Sequence, residues 1–324
     1  MFDPVALNGL KLRNKIVLSP FIEYQAGSNG MVSEQIVHYY RTLAQEGVGL
    51  IIIESAYVTQ QGKAHTSQLG INTERHMEGL TRLIGAIHDE GASVALRLAH
   101  SGARTSESII REQPVGPSII NFGKDFTVSR EFDEGDVEEI ILFFVHAAER
   151  AEEAGADLIE INGSQLFLLD QCLSNRYNNR FDEYGGGIEQ RMRLGEKIIK
   201  AIKSRVSPEL PLSYLFSIHD KLEEGFSEID LKAMIRVLSN AKVDIFHPVS
   251  VHVLNKFFEK EETLSEWVRK FTKKPLIAEG NIKSPQILKE TIALNKVQLF
   301  ALDRVLFSRP NWYGFLEKKF RPNL

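Results

Sequence analysis

Cysteine is nearly absent. Cys172 is the only one among 324 residues, so no internal disulfide can form and no Cys-rich metal or iron-sulfur site can be built. That scarcity fits a reducing cytoplasm, the expected compartment. A surplus of one charge is also missing. The 39 Lys and Arg residues stand against 43 Asp and Glu, net −4, and no basic run breaks the balance, so nothing points to a nucleic-acid or membrane-surface partner. No uninterrupted apolar run reaches the roughly 18 residues of a membrane span. Met1 leads straight into "FDPVALNGLKLRNKIVLSP" without the charged and then apolar order of a leader, so the chain reads as soluble and unsecreted. There is no Gly-x-Ser-x-Gly elbow, no Walker loop and no tight metal-ligand spacing, and no metal is expected.

What the chain does have is a repeated alternation. Strand-length apolar runs occur at 15–20, 49–55, 93–98, 157–162, 211–218, 243–250, 275–280 and 297–304, and a segment of helical period follows each. Several runs are continuously apolar, as in "GLIIIES", which suits parallel strands covered on both faces. In "DVEEIILFFVHAAERAEEAGA", Val137, Ile140, Ile141, Phe144 and Ala148 recur at helical spacing, with Gly155 as the stop. Eight such units without a flexible linker predict an α/β fold, a single (β/α)8 TIM barrel over residues 1–324, rather than a doubly wound open sheet. Two connections exceed a turn, from His100 to about Gly135 and from Gly163 to about Ile188. These long loops follow strands 3 and 4 and are candidate lids on the carboxyl-end face, where barrels keep their sites.

The groups expected at that face are Ser19 and Pro20, Glu54 and Ser55, Arg97 and His100, Asn162 and Gln165, Ser217 and His219, Ser250 and His252, Glu279 to Asn281, and Asp303 and Arg304. The set is polar and of mixed charge. Its histidines lie on different strands, which again argues against a metal centre.

These stretches resemble a known family. "FDPVALNGLKLRNKIVLSP", "GLIIIES", "LRLAHSGAR", "PVGPSII", "AGADLIEI", "LSNRYNNRFDEYGGGIEQRMR" and "ALDRVLFSRP" look like the Old Yellow Enzyme family of FMN-dependent NAD(P)H:flavin oxidoreductases, in the family's order and over nearly the whole chain. With one cysteine and an end at Leu324, the resemblance is to the short, single-barrel branch. It implies a barrel holding FMN at its carboxyl face, reduced by NADH or NADPH and then reducing an activated alkene or another small-molecule acceptor. Relatives often self-associate, so a homo-oligomer is compatible with the aromatic, basic tail "NWYGFLEKKFRPNL", as is a helix packed on its own barrel.

The same resemblance marks departures. Where the resemblance implies a His at the end of strand four, a His or Asn three residues later to grip the substrate carbonyl with it, and a proton-donating Tyr two positions further, this chain has Asn162, Gln165 and Phe167. The two amides can still donate hydrogen bonds, but Phe167 has no proton to give. Tyr24, and less directly Tyr177, are the stand-in donors. Arg97 replaces the family's flavin-facing Gln, and Leu215 replaces the Arg beside the edge where reduced flavin gathers negative charge. Arg97 is expected either to take over that charge or to pair with an acid such as Glu54. At the phosphate end Gly280, Asn281 and Arg304 remain, while Asp303 replaces a glycine and faces the phosphate unless it turns away. Ser19 and Pro20 line the ring, Ser55 offers its backbone, and Ile22 stands where some relatives carry a cysteine. Arg180, Asp182, Tyr184, Arg191 and Arg193 read as clamps of the strand-four loop. Two alternatives stay open: a degenerate barrel that binds no FMN and acts as a ligand-binding or protein-interaction protein, and a barrel repurposed for other chemistry around His219, His247 or His252.

Overall fold

The computed structural model describes residues 1–20, 24–27, 29–294, 296–309 and 311–321, without the side chains of 219 and 220. The expectations for Ile22 and for the His219 side chain fall outside the described residues.

Eight parallel strands form one sheet: β1 (Ile16–Leu18), β2 (Leu50–Tyr57), β3 (Ser93–Ala99), β4 (Leu158–Gly163), β5 (Leu212–Phe216), β6 (Ile245–Pro248), β7 (Ile277–Glu279) and β8 (Leu299–Leu302). Their order is β6-β5-β4-β3-β2-β1-β8-β7, and parallel bridges Phe246–Leu276 and Val249–Glu279 close the ring between β6 and β7. Each strand is followed by a helix: α1 (Glu34–Gln45), α2 (Met77–His88), α3 (Glu134–Glu153), α4 (Arg193–Lys203), α5 (Glu228–Asn240), α6 (Leu264–Phe271), α7 (Pro285–Ala293) and α8 (Trp312–Phe320). This is the (β/α)8 barrel that the alternation predicts.

Local signals set the helix limits. Asp133 and Asp136 form a reciprocal capping box at the start of α3, which buries Val137, Ile140, Phe144 and Ala148. Gly155, at φ +93°, then turns the chain toward β4. An amino-terminal hairpin, Val5–Leu7 paired with Leu10–Leu12, was not foreseen as an element. Leu10 and Leu12 plug the floor of the barrel against Val17, Leu50, Ile52, Ala95, Leu158, Ile245, Ile277 and Leu299. The floor is therefore dry, and polar chemistry is confined to the other end.

The two long loops lock together over that end. The first carries a short helix (Glu107–Ile110) and a two-residue strand pair, and the second carries the helix Leu168–Leu173. Arg180 donates to the carbonyls of Pro117 (3.1 Å) and Phe132 (2.8 Å), pairs with Glu131 and Asp182, and lies 4.4 Å over the Phe132 ring. Gln171 ties the roots of both loops by accepting from Ala103 N and donating to Ser101 O. α8 packs on its own barrel: Trp312 and Leu316 are fully buried, and the Tyr313 ring meets Phe2 edge-on at 5.2 Å. Among the described residues no helix is long and apolar enough to cross a membrane.

Candidate active site

Strand periodicity builds the site. Inward positions recur every second residue, so a strand with an apolar inward residue in the floor places its next inward residue one layer nearer the mouth. Leu50 and Ile52 lead to Glu54 on β2, Ala95 to Arg97 on β3, Leu158 to Glu160 and then Asn162 on β4, Ile245 to His247 on β6, and Ile277 to Glu279 on β7. An apolar floor is thus topped by a layer of charge.

That layer closes into a circuit. Arg97 Nε donates to Glu160 Oε1 at 2.7 Å, and both side chains are essentially inaccessible, at 1% and 0% exposure. Ser213 Oγ and His247 Nδ1 both donate to Glu160 Oε2, at 3.0 and 2.7 Å. His247 Nε2 lies 2.9 Å from Glu279 Oε2, a charge contact too oblique for a hydrogen bond. Ser19 completes the ring by bonding Glu279 and accepting from Arg97 Nη2 at 3.1 Å. Burial opposes ionisation of both Glu160 and His247, yet their mutual attraction, helped by Arg97, prevails. Glu160 is held at about 2 and His247 is raised to about 9, so both are charged at neutral pH. The acid paired with Arg97 is Glu160, one strand over, where the sequence pointed to Glu54. Glu54 Oε2 accepts from the backbone N–H of Tyr24 at 2.6 Å.

The end of β4 is occupied by its own contacts. Asn162 is buried, donates from Nδ2 to Ser55 Oγ at 3.2 Å and accepts at Oδ1 from Ser164 N at 3.0 Å. Gln165 is exposed on a turn where it and Leu166 take left-handed φ values of +59° and +58°, so the two amides do not form one grip. Asp170 holds that turn by accepting from Leu166 N at 2.8 Å, and is itself ion-paired with buried Lys221. Phe167 is fully buried, with the Arg104 guanidinium 5.4 Å over its ring. Tyr24, also at positive φ (+70°), stacks on His65 at 4.5 Å, on the rim. Tyr177 packs instead against Phe122, at 5.0 Å, where the two loops meet. Leu215 is buried beside Asn162 in the sheet and brings no charge. The carbonyl of Ser55 already accepts from Gln68 at 2.9 Å. His252 accepts from Leu254 N at 3.2 Å and shapes its own turn.

A separate cleft of about 150 Å³ lies between β1, β7 and β8, lined among others by Ser19, Pro20, Ser250, Gly280, Asn281 and Arg304. At roughly 30 Å³ per water this is about five waters' worth. Gly280, at φ +147°, is obligatory here, because a Cβ would stand 2.5 Å from Ser250 O and 2.7 Å from Val253 N. Asp303 does turn away: its carboxylate caps its own short helix by accepting from Val305 N at 3.0 Å. Arg304 is exposed and has no ion-pair partner among the described residues. The donors therefore fit a phosphate head group, and the cradle around Gly280 is shaped for close approach. Toward the barrel axis, Ser19 and Pro20 continue from this cleft to the charged circuit, so a phosphate-tailed aromatic such as FMN fits the residues present. The structure brings Ser19, Pro20, Gly280, Asn281 and Arg304, all named from the sequence, together around this one cleft. Sequence reasoning missed Glu160 and Ser213, which the inward period of β4 and β5 could have revealed.

Among the described residues no cluster of three or more His, Cys, Asp or Glu is arranged to hold a metal ion. A closed parallel barrel with an anion cradle after β7 and β8 and a charged layer at its mouth defines a phosphate-cofactor barrel enzyme class. The profile of the NADH:flavin oxidoreductase / NADH oxidase family matches residues 1–323, and the chain belongs to that family, whose cofactor is FMN and whose reductant is a nicotinamide. It is 34% identical over 324 residues to the NADH oxidase of Thermoanaerobacter brockii, covering 96% of this chain and 50% of that protein, so it spans half that relative's length. It is 32% identical over 316 residues to the NADPH dehydrogenase of Clostridium acetobutylicum, covering 96% and 92%. Among solved structures, the Old Yellow Enzyme homologue of Zymomonas mobilis superposes with a TM-score of 0.84 at 22% identity, covering 100% of this chain and 93% of that one. Morphinone reductase in complex with tetrahydroNAD gives 0.86 at 22%, covering 98% and 90%. At such identities these superpositions establish the fold.

Proposed function

We propose that this chain is an FMN-dependent NAD(P)H oxidoreductase with an atypical site, delivering electrons to quinone-like acceptors in preference to simple activated alkenes. FMN, when bound, supplies the redox chemistry, taking hydride from the nicotinamide and passing the electron pair on. Arg304 and the backbone around Gly280 and Asn281 would hold its phosphate, and Ser19, Pro20 and Ser55 would line its ring. Arg97 and protonated His247 supply two cations to the layer beneath, which supports their taking over from the charge absent at Leu215. Glu160 fixes both. Glu160 and Glu279 also balance them, so Arg97 acts as part of the circuit and not as a lone cation.

The observation that carries the acceptor preference is the end of β4. Phe167 offers no proton and the Asn162 amide is already engaged, so a strongly polarised carbonyl with a fixed acid beside it is not supported there. Gln165, exposed on the turn after β4, is left to orient an acceptor, and Tyr24 or water to protonate it. A positioned acid contributes about 10²–10⁴ in rate. Alkene reduction needs a carbon protonated, whereas quinone oxygens take protons from water readily. Steady-state turnover with NADPH or NADH should therefore favour a benzoquinone over cyclohexenone by at least about 100-fold. Comparable rates for the two acceptors would contradict the reading. Changing Tyr24 to Phe should slow the enone and leave the quinone rate within about twofold.

A further inference from the structure

A half-buried cation at the barrel mouth stands outside the charged circuit. Arg104 lies on the turn after β3, with its guanidinium 5.4 Å over the ring of Phe167. Among the described residues its side chain makes no hydrogen bond and no ion pair. Acids on the neighbouring segments are committed elsewhere. Asp170 pairs with Lys221 and accepts from Leu166 N, and Asp136 holds the two terminal nitrogens of Arg130.

The position of Arg104 is built into the fold. Leu168 N donates to His100 O at 2.8 Å, joining the turn after β4 to the turn after β3. Gln171 then fastens the two together: its Oε1 accepts from Ala103 N at 3.0 Å, and its Nε2 donates to Ser101 O at 2.8 Å and to Leu166 O at 2.6 Å. Gly102, at φ +60°, leaves room for that amide, because a Cβ there would collide with Gln171. Arg104 N closes its own turn by donating to Ser101 O at 3.0 Å. Arg104 and Gln165, which precedes Phe167 by two residues, therefore ride on one braced unit.

Stacking on Phe167 occupies one face of the guanidinium and contributes only modestly. The N–H donors lie in the plane of the group, so its edge is left to bind. A planar carboxylate meets such an edge with two parallel hydrogen bonds, and partial removal of water strengthens the pair. The charges of a nicotinamide dinucleotide sit on its phosphates, a ribose away from the reacting ring. Arg104 is instead fixed beside the turn that presents Gln165 to an acceptor.

We propose that Arg104 is a specificity-determining residue that binds the carboxylate of an anionic, quinone-like acceptor while Gln165 meets the acceptor's carbonyl, an assignment that rests on the function proposed above. The test compares kcat/KM, with NADPH as reductant, for a 1,4-naphthoquinone carrying a propanoate side chain and for its methyl ester, which share one redox centre. The acid should be preferred by at least about tenfold, the size expected of hydrogen bonds between charged groups. R104Q should erase that preference through KM and leave the ester within about twofold, whereas R104K should keep part of it, since an ammonium holds the charge without the two-point contact. No preference for the acid in the unaltered protein, the same preference in R104Q, an equal loss on acid and ester, or a raised KM for NADPH alone would each overturn the proposal. Calorimetry with benzoate and benzamide, with the flavin absorbance recorded on the same sample, separates this proposal from the redox reading. A colourless protein that binds benzoate over benzamide, and loses that selectivity in R104Q, would count against the redox reading and leave the anion site standing. A flavin-loaded protein that reduces the ester and is indifferent to charge would do the reverse.

Discussion

Glu160 accepts from three side chains at once, Arg97, Ser213 and His247, without access to water. Removing its charge strands two buried cations, which typically costs about 3–5 kcal/mol. Urea unfolding of Glu160→Gln should show a loss of that size, whereas a loss below about 1 kcal/mol would mean the circuit is ornamental. The pH dependence follows from the directions of the shifts. His247 is raised in the folded state, so its contribution is complete below its unfolded value and fades as pH climbs through about 9. Glu160 is depressed, so its contribution is complete above the ordinary glutamate range and fades as pH falls toward about 2. The stability of the protein should therefore drop between about pH 7 and 9, and His247→Gln should flatten that limb. An identical alkaline loss in the variant would assign it to other groups.

At the scale of elements, the turn after β7 is the most constrained part of the candidate cofactor site. Gly280 has backbone of the next turn at 2.5 and 2.7 Å from where a Cβ would sit, and its carbonyl accepts from Val253 N at 2.8 Å. Gly280→Ala must push the β6 and β7 turns apart. The strain is of order 1–3 kcal/mol, and the phosphate cradle opens with it. FMN affinity should fall at least tenfold, equivalent to about 1.4 kcal/mol. Unchanged FMN affinity with an unchanged melting temperature would move the phosphate elsewhere. The paired loops behave differently, because Arg180 and Gln171 fasten them to each other and to the barrel rim, making a fixed wall of what length alone suggested as lids.

For the whole molecule, the barrel was readable because its signals are periodic and redundant. Each of the eight apolar runs coincides with a strand to within two residues at its carboxyl end, and α3 begins and ends where its capping box and Gly155 dictate. The amino-terminal plug was not readable as an element, since "VALNGLKL" only shows its role once Leu10 and Leu12 meet a floor assembled from seven barrel strands. The site was half readable. Positions at strand ends, such as Gly280 and Arg304, follow from where the strands stop. Pairings across strands, such as Arg97 with Glu160, depend on register, which no single strand encodes. The direction taken by Asp303 is likewise a local hydrogen-bond choice, made when the helix it caps forms.

The claim on which the rest depends is that a barrel carrying Leu215, Asp303 and the Arg97–Glu160–His247 circuit still takes up FMN. It is tested most directly by the visible absorbance spectrum of the purified protein, followed by titration with FMN. A flavin band near one equivalent, or saturable FMN binding that Arg304→Ala weakens at least tenfold, is the predicted result. A colourless protein that ignores FMN at high micromolar concentration would contradict it, and would leave the chain a family member that has kept the barrel and given up the cofactor.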